Sequence, residues 1–166
     1  MGFKKTSDLI AVSFKIDESA ANTLTTSEIA LQLDVLNNEI AVIIAVDLNV
    51  GSPEMIAATN TSVRAALSAT LPTTFPQLSD SNTIAVAQEA IRSDAVQAVG
   101  FQRNAAETFT GDLDYLAIVA TNNMFSAIQG AGNTSAKAAT GRVWLYRARA
   151  DASTYAALVQ SEVLSA

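Results

Sequence analysis

Histidine and cysteine are both absent from this chain of 166 residues. Their absence removes the two side chains that most often carry nucleophilic, proton-transfer and transition-metal chemistry at neutral pH. It also excludes a disulfide framework and any thiolate zinc site, so stability has to come from packing. Charge is scarce as well: 16% of the residues are Asp, Glu, Lys or Arg, against about 25% in an ordinary soluble domain. Ten basic residues face sixteen acidic ones, for a net charge of −6. That balance argues against a dedicated nucleic-acid binder, which gathers Lys and Arg to release phosphate counterions. Long apolar runs are missing too; the candidate Ile40 to Val46 is seven residues, too short for a bilayer, so no membrane span is expected. Asp8 and Lys15 interrupt the apolar stretch around Leu9 to Phe14, which therefore does not read as a secretory signal.

What is present is a large share of small and apolar residues, 49% hydrophobic in all, which is ample for one core and too apolar for disorder. The expected organisation is a single domain over 1–166 with a short N-terminal arm, 1–7. With so few charges, much of the surface reads as covered by neighbours rather than by water.

Strand patterns dominate. Ile10, Val12, Phe14 and Ile16 alternate with Ser13 and Lys15, the period of a half-buried strand. Ile29, Leu31, Leu33 and Val35 alternate likewise, and after Asn37-Asn38 comes the run Ile40 to Val50. Two strand patterns around Asn-Asn predict a β-hairpin, since Asn tolerates the positive φ of a tight turn. The second strand is apolar on both faces near Ile43 and Ile44, which predicts a central strand covered on both sides. Gly51-Ser52-Pro53 ends it. Glu54 to Thr70 fits either a short helix or a loop and strand, and Leu71 to Pro76 is a loop. Thr83 to Arg92 fits a strand or a short helix, with turn-like flanks that favour the strand, and further strands are expected over Val96 to Phe101 and Asp114 to Thr121. Asn122-Asn123 and Met124 to Gln129 then repeat the strand, Asn-Asn, strand layout, and Gly130 to Asn133 reads as an exposed turn. Lys137 to Arg149 is a long strand with Val143, Leu145 and Arg147 on one face and Arg142, Trp144, Tyr146 and Ala148 on the other. Asp151 or Ser153 then caps a short C-terminal helix, with Tyr155, Leu158, Val159 and Glu162 at helical spacing. The fold class expected is all-β: an antiparallel β-sandwich, or single jelly roll, with a short C-terminal helix.

The short arm with Lys4 and Lys5, the apolar strands Ile40 to Val50 and Asp114 to Thr121, the small-residue loops and the long last strand Lys137 to Arg149 together resemble the single jelly-roll coat proteins of icosahedral viruses. That resemblance implies a structural capsid subunit located in the virion. Its partner would be itself, in a homo-oligomeric shell, with other capsid proteins as further candidate neighbours. It also implies weak contact with the packaged genome through Lys4, Lys5 and Lys15, although the dense basic run that opens many such proteins is absent. The alternative reading is a β-sandwich ligand- or glycan-binding module of a fibre, tail or adhesin, with Trp144 and the tyrosines as stacking candidates.

Each chemical motif has an ordinary explanation beside it. Asp112 and Asp114, with Glu107 nearby, carry the oxygen ligands calcium takes, but Asp-x-Asp before a strand is ordinarily solvated turn chemistry. Arg142, Arg147 and Arg149 beside Trp144 and Tyr146 suggest a nucleic-acid surface, yet alternation leaves Arg142 alone on the aromatic side. Without histidine a serine hydrolase needs a Ser-Lys arrangement, and Ser135 and Lys137 are wrongly spaced for it. Gly130 and Gly132 lack the rest of a phosphate loop. A pair of carboxylates for glycoside cleavage stays open. The expectation is a protein that is not an enzyme, with no cofactor and no metal.

Overall fold

The computed structural model describes residues 2–104 and 113–166. In chain order the elements are β1 (Phe3–Lys5), β2 (Ile10–Asp17), β3 (Thr25–Ala30), β4 (Glu39–Val50), β5 (Thr61–Ser68), β6 (Thr83–Ser93), β7 (Ala98–Arg103), β8 (Ala117–Val119), β9 (Asn123–Ala131), β10 (Ala138–Ala150) and α1 (Ala152–Ser165). Residues 3–5 of the expected arm thus form strand β1, paired with the end of β10.

The strands pair by a simple rule. β2 pairs with β10, β3 with β9, β4 with β8 and β5 with β6, all antiparallel. The first half of the chain therefore lies against the second half in reverse order, as one long ribbon. Wrapping that ribbon brings β4 beside β10 and β5 beside β9, and it splits the strands into two sheets. The first runs β2-β10-β4-β8, with β1 also on β10; the second runs β3-β9-β5-β6-β7. This is the connectivity of a jelly roll, so the expected all-β sandwich with a C-terminal helix is the fold observed.

Between the sheets lies the main core, built from inward positions such as Ile16, Ile29, Ile43, Leu48, Leu67, Met124, Ile128 and Val143. A second apolar layer sits on the outer face of the first sheet. There Ile40, Val42, Ala120, Ala148 and Ala150 are covered by Tyr155, Leu158 and Val159 of α1 and by Phe3. This is why β4 reads as apolar on both faces: one faces the second sheet, the other the helix. A β-bulge lets it serve both, because Trp144 is opposite Ala45 while Leu145 is opposite Ile43. Ile44 is the additional residue, and the core-facing series shifts from Ala41 and Ile43 to Val46, Leu48 and Val50.

Two expectations about connections are corrected. The Asn37-Asn38 corner is not a hairpin, since β3 and β4 belong to different sheets. A 3₁₀ turn, Val35–Asn37, ends in Asn38 at φ 55°, and Leu31 and Leu33 are buried in the connection rather than in a strand. Asn122-Asn123 likewise joins the first sheet to the second. Its Asn122 accepts from the Leu33 amide at 2.6 Å through Oδ1 and from the Leu31 amide at 3.0 Å through its carbonyl. Positive φ was the right reading at Asn38; the partner strand was not. The ambiguous stretch after Pro53 is a loop leading into β5.

Asn133, expected in an exposed turn, is buried. It donates from Nδ2 to the Ser62 carbonyl at 2.9 Å and accepts from the Glu54 amide at 3.0 Å. The strand expected over Asp114 to Thr121 is confined to Ala117–Val119.

Candidate interaction surfaces

The three lysines singled out in the sequence do not form one patch. Lys5 is opposite Ala148 and Lys15 opposite Thr140, which puts both on the outer face of the first sheet. Eight residues along β10 separate those positions, about 26 Å at the usual strand rise. Lys5 Nζ lies 5.0 Å from the centre of the Tyr146 ring, a cation–π contact. Lys15 pairs with Asp17 at 3.3 Å, an exposed pair of little energetic weight. Lys4 is opposite Arg149 and on the other face.

The acidic and Ser-Lys candidates resolve into structural roles. Asp112 and Glu107 lie outside the described residues, and no metal-holding group of three or more His, Cys, Asp or Glu occurs among the described residues. Lys137 is no free base, because its Nζ pairs with Glu54 at 3.0 Å. Glu54 also accepts from the Thr134 and Ser135 hydroxyls and amides. The Ser135 hydroxyl foremost, then the Thr134 hydroxyl and amide and the Lys137 ammonium, hold the Glu54 carboxyl far below the usual carboxylate range.

Beside it, buried Glu18 accepts from the Gly130 amide at 2.6 Å and the Lys137 amide at 2.8 Å. Together with Asn133 and Asn22 these carboxylates clasp the β9–β10 connection to the end of the sandwich. Every one of these contacts joins residues distant in sequence, so none was legible from spacing.

At the other end of the second sheet the picture reverses. All six residues of β7 are exposed. Val99 and Phe101 share one face of it, and Val96 in the β6–β7 turn is 93% exposed. Leu36 in the 3₁₀ turn and Val163 and Leu164 at the end of α1 are also exposed. The one acid in α1, Glu162, is buried and accepts from the Ala120 amide at 2.6 Å and the Thr121 amide at 3.2 Å. The outer side of the helix is therefore left without charge.

The outer face of the first sheet is divided. Its upper half lies under α1. Its lower half is open, and there Trp144 and Arg142 share a side, as alternation along β10 predicts, while Tyr146 lies under the helix. A shallow depression of about 420 Å³ is lined there by Ser13, Asp47, Asn49, Thr140, Arg142 and Trp144. No helix among the described residues is long and apolar enough to cross a membrane.

The chain matches no protein-family model and no curated protein. A solved chain from Desmodium yellow mottle tymovirus is similar to it at 13% identity with a TM-score of 0.34, over 84% of this chain and 87% of that one.

Proposed function

We propose that this protein is a structural coat subunit that self-associates into a closed icosahedral shell in the virion and has no enzymatic role. The observation that carries the reading is the placement of bare apolar side chains on three separate surfaces: Leu36, the Val96, Val99 and Phe101 group, and Val163 with Leu164. A lone patch would suit a dimer, whereas several patches on different elements suit a subunit with several neighbours, as closed shells require. The jelly-roll topology and the low charge support it, because neutral faces desolvate cheaply against a neighbour. Genome contact, in this reading, is weak because Lys4, Lys5 and Lys15 lie apart and would each act singly.

Sedimentation and electron microscopy of the purified chain test the proposal. Particles, or a concentration-dependent oligomer series, are expected; a monomer at all concentrations and salts would overturn it. In Lys4→Ala/Lys5→Ala the particles should still form while packaged nucleic acid drops modestly, since only a few phosphate contacts are lost.

A further inference from the structure

We propose that the open half of the first sheet's outer face is a saccharide-binding subsite, with Trp144 as its stacking platform. The indole stands on β10 between Ala11 of β2 and Ala45 of β4, its register partners on either side. Two alanines leave the ring without a taller neighbour in its own cross-strand row, so part of the indole stays uncovered, and Trp144 is half-buried as a result. Around it the same face presents polar groups of both kinds. Asp47 and Asn49 follow Ala45 along β4, and Thr140 and Arg142 precede Trp144 along β10. Arg142 Nε donates to Ser13 Oγ at 3.1 Å, which fixes the guanidinium at the rim. The side chains of Asp47 and Asn49 are exposed and make no hydrogen bond or ion pair among the described residues, so their acceptors and donors are available.

A pyranose matches this arrangement chemically. One of its faces is a patch of C–H groups that lies on an aromatic ring, and its rim is a set of hydroxyls that both donate and accept. An aromatic plate bordered by a carboxylate, an amide, a hydroxyl and a guanidinium meets both demands. The volume of about 420 Å³ lies within the usual range of small-molecule sites. Asp47 next to Arg142 keeps the site near neutral, which disfavours a phosphate-rich ligand and favours a neutral sugar. The depression is shallow, so the occupant is one sugar unit or the end of a glycan chain.

The chain has a single tryptophan, so its emission reports on this depression alone. The purified, assembled protein is titrated with methyl glucoside, methyl galactoside, methyl mannoside and N-acetylglucosamine to about 100 mM, well above the millimolar dissociation constants expected of a few hydrogen bonds and one stacking contact. At least one sugar should give a saturable change in Trp144 emission. Asp47→Ala or Asn49→Ala should weaken it about fivefold, the loss expected of one hydrogen bond, with melting temperature unchanged. No saturable response to any of the four, or one equal in both variants and the parent, overturns the proposal. So does an indole shielded from acrylamide in the assembled protein, which would make this face a subunit contact. Particle formation is scored separately, so a silent pocket in well-formed particles leaves the shell reading intact.

Discussion

Two connections, β9–β10 and β6–β7, are built in different ways. The first, residues 132–137, is held by its own Asn133 and by Glu18 and Asn22 of the β2–β3 connection and Glu54 of the β4–β5 connection. The second projects β7 with every residue exposed; in its turn Asp94 Oδ1 accepts from the Val96 and Gln97 amides at 2.8 Å, and the β4–β5 connection reaches only the turn's start, through Asn60 Oδ1 accepting from the Ser93 amide and the Ala58 amide donating to the Asp94 carbonyl. The polar side chains of the first connection thus fix the sandwich, whereas the second sets Val96, Val99 and Phe101 bare among exposed polar residues such as Gln102 and Arg103. Substitutions that remove the clasp should therefore cost folding stability. Those in the projecting hairpin should cost association and leave the fold alone.

The largest effect is expected at Glu18. Replacing it with alanine leaves the Gly130 and Lys137 amides without their acceptor beside a buried site. A charge-assisted pair of this kind is worth about 3 kcal/mol, and urea unfolding should show a loss of that order. Glu18→Gln, which keeps one acceptor, should lose about half as much. Equal stability of all three proteins would mean the clasp is not what closes this end of the sandwich.

Next in size is Asn38, whose backbone conformation turns a corner that Glu39 also ties down by accepting from the Asp34 amide at 2.7 Å. At φ 55°, Asn38→Gly should melt at or slightly above the parent, whereas Asn38→Val should lose about 1 kcal/mol, because a β-branched side chain is disfavoured there. The corner also accepts from the Ala150 amide at 3.0 Å through the Asn38 carbonyl, so melting of Asn38→Val should loosen the start of α1 first, as amide exchange would show.

This corner marks what was legible in the sequence. Period-two alternation showed the strands and their faces, down to Trp144 and Arg142 sharing a side of β10, because facing is local and repeats every two residues. Glu162 fell at helical spacing with Tyr155, Leu158 and Val159 for the same reason, and it is buried on the side of the helix where those three are half-buried. Pairing is not local. An Asn-Asn pair between two strand patterns serves a tight hairpin and a crossing between sheets alike, with positive φ at Asn38 and without it at Asn122-Asn123, so neither corner could be told apart from a hairpin turn. The clasp was invisible because Glu18 meets Gly130 and Lys137 across 112 and 119 residues. The polar rim at Trp144 was equally hidden: Asp47 and Asn49 come onto its face only through the register of β4, after the bulge at Ile44.

Acid should separate the two connections more gently. The folded-state value of Glu54 is depressed, so its contribution is complete above the unfolded-chain value near 4.5 and is lost progressively as pH falls below it. Stability measured from pH 6 down to about 3 should decline, and the decline should be shallower in Glu54→Gln. Asp94 is shifted down too, by the Val96 and Gln97 amides, as is Asp151, by the Thr154 amide and then the Ser153 hydroxyl, so it is the difference between parent and Glu54→Gln that isolates the clasp. Parallel curves would remove Glu54 from the account.

The smallest effect on folding, and the one that most sharpens the contrast, is expected in the hairpin. Val99 is opposite Arg92 and Phe101 opposite Ala90, and both side chains are more than half exposed. Val99→Lys or Phe101→Gln therefore removes little buried apolar area from the isolated subunit, and unfolding free energy should move by no more than about 0.5 kcal/mol. If this surface meets a neighbour, the same substitutions bury an unpaired charge or amide at the contact. Sedimentation should then show smaller assemblies at equal protein concentration, most clearly for the lysine. A variant that unfolds more easily but assembles normally would reverse the comparison, making the hairpin part of the fold's stability and leaving the contacts to Leu36 and the end of α1.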